Sequence, residues 1–255
     1  MLASGHDMAN ILSFDLAIFI AGTLVAAFVT GVAGFAFGMV AAGIWLYVLP
    51  PLQASTLIIA YALLVQSYAV WKLRHSLDLR RLAPFIVGSA FGVPAGIAAL
   101  RWISPMYLRA GVGGLLIVFS LYNLARPKLR EMKAAGRGAD ATIGFLNGVL
   151  GGATGLGGIL PTIWSGLRGW PRDEQRAVFQ PTAVATFLIT IAAFGGVGII
   201  TLDTIRLFVI GLPALVGGSW LGWMLYGKLD EGAFRKVVLV LLLVSGVTLA
   251  TLGRW

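Results

Sequence analysis

The chain has 255 residues, 58% of them hydrophobic and 11% charged, with a mean hydropathy of +0.91. A water-soluble domain carries about 25% charged residues, so that balance excludes one and places the chain in a membrane. Its formal charge of +9 lies almost wholly in short loops between apolar runs, which is a signature of membrane orientation and not of nucleic-acid binding.

Crossing about 30 Å of hydrocarbon takes roughly 20 residues in a helix. Against that length, eight hydrophobic segments follow in chain order, at about 12–49, 52–71, 83–100, 107–125, 141–167, 177–198, 204–225 and 233–252. The first and fifth are interrupted by glycines. The first ten residues carry no Lys or Arg, so they lack the positive start of a cleaved signal peptide, and the first apolar run is expected to be retained. Strand-length alternation is absent, and lipid-facing backbone must satisfy its own hydrogen bonds, so the expected class is all-α integral membrane. One polytopic membrane domain spans 1–255, with repeat 1 at about 12–125, a basic cytoplasmic linker at about 126–140 and repeat 2 at about 141–253.

The basic residues bear on topology. If all eight segments cross, alternate sides receive 11 and 8 Lys and Arg, hardly a bias. If the fifth is instead a re-entrant hairpin, entering over 141–150, turning over 151–158 and leaving over 159–167, the four most basic connections share one side, 15 against 4. The positive-inside rule favours the hairpin. A first segment built alike gives each half one hairpin and three crossings, an odd number, so two homologous halves of about four hydrophobic segments become inverted repeats with broken or re-entrant helices at the glycine clusters. Both termini then lie outside.

The duplication shows best at those glycines. Thr30-Gly31-Val32-Ala33-Gly34-Phe35-Ala36-Phe37-Gly38 aligns without gaps on Asn147-Gly148-Val149-Leu150-Gly151-Gly152-Ala153-Thr154-Gly155. Paired breaks in corresponding segments of two halves point to a binding site at the repeat interface, as in secondary transporters. A helix that restarts after a break offers free N–H groups and the positive end of its dipole, which together favour an anion. The expected substrate contacts are therefore Thr30, Gly31, Gly34, Gly38, Asn147, Gly151, Gly152, Thr154, Gly155, Gly157 and Gly158, with Gln53 and Gln180 at corresponding places after the two breaks. Thr154 is placed to cap the second half-helix or donate to the anion. Glycines 92, 96, 111, 113, 114, 217, 218 and 222 are assigned instead to helix packing. Spans almost free of Asp, Glu and His argue against cation sites, and no nucleophile with a base or metal cluster appears in them, so no enzyme, metal or cofactor is expected.

The stretch from Gly144 to Pro161, followed by Leu167-Arg168-Gly169-Trp170-Pro171 and by Asp173-Glu174-Gln175-Arg176-Ala177-Val178-Phe179-Gln180-Pro181, resembles the second half of the sulfite exporter TauE/SafE family, also called the 4-toluene sulfonate uptake permease family. The resemblance implies a multi-pass permease of the bacterial inner membrane for sulfite, sulfoacetate or another small organic or inorganic anion, usually exporting. Its implied partners are the small anion and the lipid bilayer, with room for a homodimer. The first copy departs from the family pattern at Gly34-Phe35-Ala36-Phe37-Gly38 and has no proline matching Pro161. A membrane scaffold using the glycines only for packing, or an anion channel, are the alternatives that the sequence leaves open.

Overall fold

The computed structural model describes residues 5–33, 36–73, 77–100, 102–125, 136–225, 228 and 230–252. Among them the chain is helical without strands. In order the helices are α1 (Gly5–Ala33), α2 (Phe37–Trp45), α3 (Pro51–Leu73), α4 (Leu79–Ala99), α5 (Pro105–Ala125), α6 (Arg137–Thr154), α7 (Ile159–Leu167), α8 (Arg172–Gly196), α9 (Leu202–Leu225) and α10 (Glu231–Leu252). Six contain stretches long and apolar enough to cross a membrane: Phe14–Val32, Leu79–Ala99, Pro105–Ala125, Glu174–Gly196, Leu202–Leu225 and Gly232–Thr251. The apolar stretch of α3, Pro51–Ser67, is shorter.

Two compact units form, and neither coincides with a half of the sequence. Residues 1–54, 109–125 and 202–255 make the first, and residues 55–108 and 126–201 the second. Each therefore combines helices from both expected repeats.

In the first unit α2 folds back along α1. The ring of Trp45, at the end of α2, lies 5.0 Å from that of Phe19, and a Cβ added at Gly22 would meet Ile44 and Trp45. The residue before α2, Ala36, adopts a left-handed φ of 81°. Helix α9 packs on α1 through glycine: side-chain atoms at Gly31, Gly218 and Gly222 would collide with backbone of the facing helix. Such close approach is what small residues permit between membrane helices, where packing replaces the hydrophobic effect. Helices α5 and α10 cross at Gly113 and Gly246 by the same device, and Arg235 Nη2 donates to Asn123 Oδ1 at 2.6 Å between them.

The second unit is built around a longer glycine seam. Gly88, Gly92 and Gly96 of α4 alternate with Gly144, Gly148 and Gly152 of α6, each spaced four residues apart so that one stripe of each helix faces the other. A Cβ at any of the six would fall on backbone of the opposite helix, mostly on a carbonyl oxygen. The two helices run in the same direction, and Ser89 Oγ donates across the seam to Gly144 O at 2.9 Å. Of the glycines assigned to packing from sequence, 92, 96, 113, 218 and 222 make such contacts, whereas a Cβ at Gly111, Gly114 or Gly217 meets nothing within 4 Å.

Helix α7 has the bounds expected for the returning arm, and α6 runs on to Thr154, past the expected end of the entering arm. The return is visible in side-chain contacts. Trp164 Nε1 donates to Asp140 Oδ1 at 2.7 Å, and Arg168 Nη1 lies 3.7 Å from the same oxygen, so the end of α7 meets the first turns of α6. Asp140 is only 8% exposed. Arg168 also stacks over Trp170 at 5.3 Å, as does Arg81 at 5.5 Å, and Arg81 pairs with Glu174. Beneath these charges Leu82, Phe85, Trp164 and Val178 form a core cluster. The starts of α4, α6 and α8 and the end of α7 thus gather at one end of the unit.

Candidate functional site

The turn between α6 and α7 is the most closely determined polar feature of the second unit. Gly155 closes α6 with φ 74°, and Gly158 stands before α7 with φ 95°. Both angles lie where an L side chain is strained and glycine is not. Protein also fills the space beside them. A Cβ at Gly155 would lie 2.8 Å from Ser55 O, and one at Gly158 would lie 2.8 Å from Ala183 Cβ.

Asn147 holds this turn from within α6. Its side chain is fully buried, its Oδ1 accepts the Gly158 N–H at 2.7 Å, and its Nδ2 donates to Thr186 Oγ1 at 3.1 Å. Thr186 in turn donates to Thr182 O at 2.8 Å, and Thr190 to Thr186 O at 2.8 Å. One amide therefore ties α6, the start of α7 and α8 together. A buried donor left unsatisfied costs about 1–3 kcal/mol, so the geometry of the turn depends on that amide.

Thr154 takes a different place from the one expected. It is the last residue of α6, not the cap of α7. Its hydroxyl donates to Leu150 O at 2.7 Å and accepts the Leu156 N–H at 3.2 Å, holding the exit from α6. The residue before α7 is Gly158, which offers no side-chain cap. In α7 the first intrahelical bond runs from Thr162 N to Gly158 O at 3.1 Å. The N–H groups of Ile159 and Leu160 precede it and have no carbonyl four residues back within the helix, and Pro161 has no N–H. The helix dipole adds its positive end there.

The remaining glycines of this copy pack against protein. A Cβ at Gly151 would lie 2.7 Å from Thr186 Cγ2, at Gly152 2.7 Å from Val93 O, and at Gly157 2.9 Å from Phe187 Cε1. Asn147, Gly151, Gly157 and Gly158 are thus brought together around Thr186 and its neighbours on α8, while Gly152 sits in the α4 seam. Gln180, on α8, is 7% exposed, and its Oε1 has no hydrogen-bond partner among the described residues.

The first-copy residues lie in the other unit. Thr30 donates to Ala26 O at 2.8 Å within α1, and a Cβ at Gly31 would lie 2.8 Å from Ser219 O of α9. Gly38 is the second residue of α2, Gln53 is near the start of α3, and Gly34 falls outside the described residues. The gapless alignment therefore pairs Gly38 inside a helix with Gly155 at a helix end, because α6 continues farther past Asn147 than α1 does past Thr30.

Two features escaped the sequence reading. Asp140 stood at the edge of an apolar run and looked like a loop residue; nothing local marks its pairing with Trp164 and Arg168. Thr182, Thr186 and Thr190 carried a readable signal, a hydroxyl every fourth residue in an apolar span, which puts all three toward one side of α8.

Comparison with known proteins returns one finding. The family model described as Sulfite exporter TauE/SafE matches residues 18–249 of the chain. No curated protein and no solved structure matches it.

Proposed function

We propose, on the premise that this chain belongs to the sulfite exporter TauE/SafE family, that it is a permease carrying sulfite or a sulfonate such as sulfoacetate outward across a bacterial inner membrane. The family is one of membrane transporters and not of enzymes, and the chain is a multi-pass membrane protein that handles a small anion. Substrate, direction and compartment are our reading beyond that.

The observation that carries it is the start of α7. Two N–H groups outside the helix ladder, the positive end of a nine-residue helix and a turn held by Asn147 suit a small oxyanion without any basic side chain. Asn147, Gly151, Thr154, Gly155, Gly157 and Gly158 build that turn in our reading, and Gln180 borders it. Gly152 sets the approach of α4. Thr30, Gly31, Gly34, Gly38 and Gln53 have the corresponding role in the first copy. An anion held by backbone N–H groups is bound without a fixed counter-charge, which lets it leave again.

The two folded-back pairs, α1 with α2 and α6 with α7, are in this reading duplicated and inverted. The end of the second unit that carries Arg81, Arg168 and the start of α6 faces the cytoplasm, as the positive-inside rule requires.

A second reading, a membrane scaffold that uses glycine only for packing, draws support from the protein atoms found beside Gly31, Gly151, Gly152, Gly155, Gly157 and Gly158. Purified protein in liposomes separates the two. A permease releases loaded sulfite or sulfoacetate faster than protein-free liposomes do, and its melting temperature rises with the anion by mass action. No flux and no shift with any sulfur oxyanion would reject the permease and leave the scaffold.

A further inference from the structure

Buried threonines in these helices have a ready partner, the carbonyl four residues back. Thr23, Thr30, Thr186 and Thr190 all take it, at 2.7–2.8 Å. Thr182 does not. It is 0% exposed, and its Oγ1 has no hydrogen-bond partner among the described residues. A hydroxyl so placed carries a desolvation cost that the usual rotamer would have removed, so it calls for an acceptor that the described residues do not supply.

The position of Thr182 says where that acceptor would sit. Ala183, the next residue, lies against Gly158, and Thr186, one turn on, holds Asn147 and through it the Gly158 N–H. At about 100° per residue, Thr186 stands about 40° and Ala183 about 100° around α8 from Thr182, so Thr182 lies beside the side of the helix that meets the turn before α7. Gln180 borders the Ala183 contact from the other side, its own Oε1 also without a partner. An unpartnered, fully buried hydroxyl therefore lies on α8 one residue before the side chain that meets the uncapped helix terminus and one turn before the one that holds Asn147.

We propose that Thr182 is the hydroxyl contact of the anion site, donating to a substrate oxygen held at the start of α7, while the Thr154 hydroxyl, already committed to Leu150 O and the Leu156 N–H, only shapes the turn. This rests on the permease reading and assigns within it a residue that sequence reasoning had not singled out as a contact. The chemistry fits a compact oxyanion with several acceptor oxygens, such as a sulfite or sulfonate group: the backbone N–H groups take some oxygens and the hydroxyl another.

The experiment uses full-length protein with sulfoacetate and sulfite as probes. Thr182→Val keeps the shape and deletes the donor, so its ligand-free melting temperature is expected to equal or exceed that of the parent, because a buried unpaired hydroxyl is gone. Its sulfoacetate affinity is expected to fall about tenfold or more, the scale of a lost hydrogen bond to a charged group. Thr182→Ser should retain most binding, and Thr154→Val should change affinity less than Thr182→Val. Should the valine variant fail to fold, Thr182→Ala deletes the same donor and is expected to lose sulfoacetate affinity likewise. Parental affinity in Thr182→Val, or in Thr182→Ala where the first does not fold, with the parent protein still binding, would overturn the assignment alone. A parent protein that neither binds nor transports either anion would overturn the permease reading and the assignment with it.

Discussion

Two short helices of nine residues each, α2 in one unit and α7 in the other, fold back along the helix before them after a left-handed residue. They are held differently. Before α2 the left-handed position is Ala36, a residue for which that conformation is strained by about 1–2 kcal/mol, and Thr30 spends its hydroxyl on its own helix. Before α7 the left-handed positions are glycines, and Asn147, aligned with Thr30, reaches out of its helix to the Gly158 N–H and to Thr186. The preceding helices differ as well. Trp45 of α2 stops beside Phe19, so α1 continues beyond it toward Gly5, whereas α7 ends beside Asp140 in the first turn of α6. The turn before α2 is strained, and the side-chain bond that reaches α2 comes from Ser245 Oγ of α10 to Gly43 O at 2.6 Å; the turn before α7 is relaxed and bridged by Asn147. An amide with two bonding ends can bridge elements, which a hydroxyl bonded to its own helix cannot.

The largest expected effect is all-or-none. Cysteines introduced by Arg137→Cys and, in a separate protein, Arg172→Cys flank the α6–α7 pair, and a membrane-impermeant thiol reagent should reach both from the same side of oriented vesicles. Labelling from opposite sides would mean that the pair crosses the membrane, and the inverted-repeat reading would end there.

Next in size is the bridge itself. Asn147→Ala strands the buried Gly158 N–H and is expected to lower stability by about 2–3 kcal/mol, read as a fall in the denaturation midpoint in detergent. The aligned Thr30→Val removes only a bond within one helix and should cost under about 1 kcal/mol. Equal losses in the two variants would show that the turns are held alike.

In the opposite direction, Ala36→Gly should relieve the left-handed strain and raise stability by up to about 1 kcal/mol, against the entropy that glycine adds to the unfolded chain. A loss of stability there would mean that the Ala36 methyl contributes more in contacts than the backbone conformation costs.

Much of this architecture was legible in advance. An interruption is expected where Gly151, Gly152, Gly155, Gly157 and Gly158 crowd together, because helix propensity falls there, and α6 ends at Thr154 and α7 starts at Ile159. Basic residues at 72–81, 126–137 and 168–176 suggest a re-entrant segment, which the labelling experiment tests; Asp140, Arg168 and Trp164 meet within the second unit. The role of each glycine was less legible. Gly152 and Gly217 look alike in sequence, yet one faces the Val93 carbonyl and the other open space, since what a glycine accommodates is set by the helix opposite it. The exact turn was also out of reach: a gapless alignment assumes that both copies leave their helix at the same residue, and α6 runs longer.

Composition and periodicity by themselves determined a helical multi-pass membrane protein, because hydrophobic length and the need to satisfy backbone groups in lipid are properties of the chain alone. Which polar groups are consumed and which are left over was decided only by tertiary structure. Thr154 and Thr182 carry the same side chain; packing gives the first both of its partners and gives the second none among the described residues, and a hydrogen bond exists only where another atom has been brought within reach.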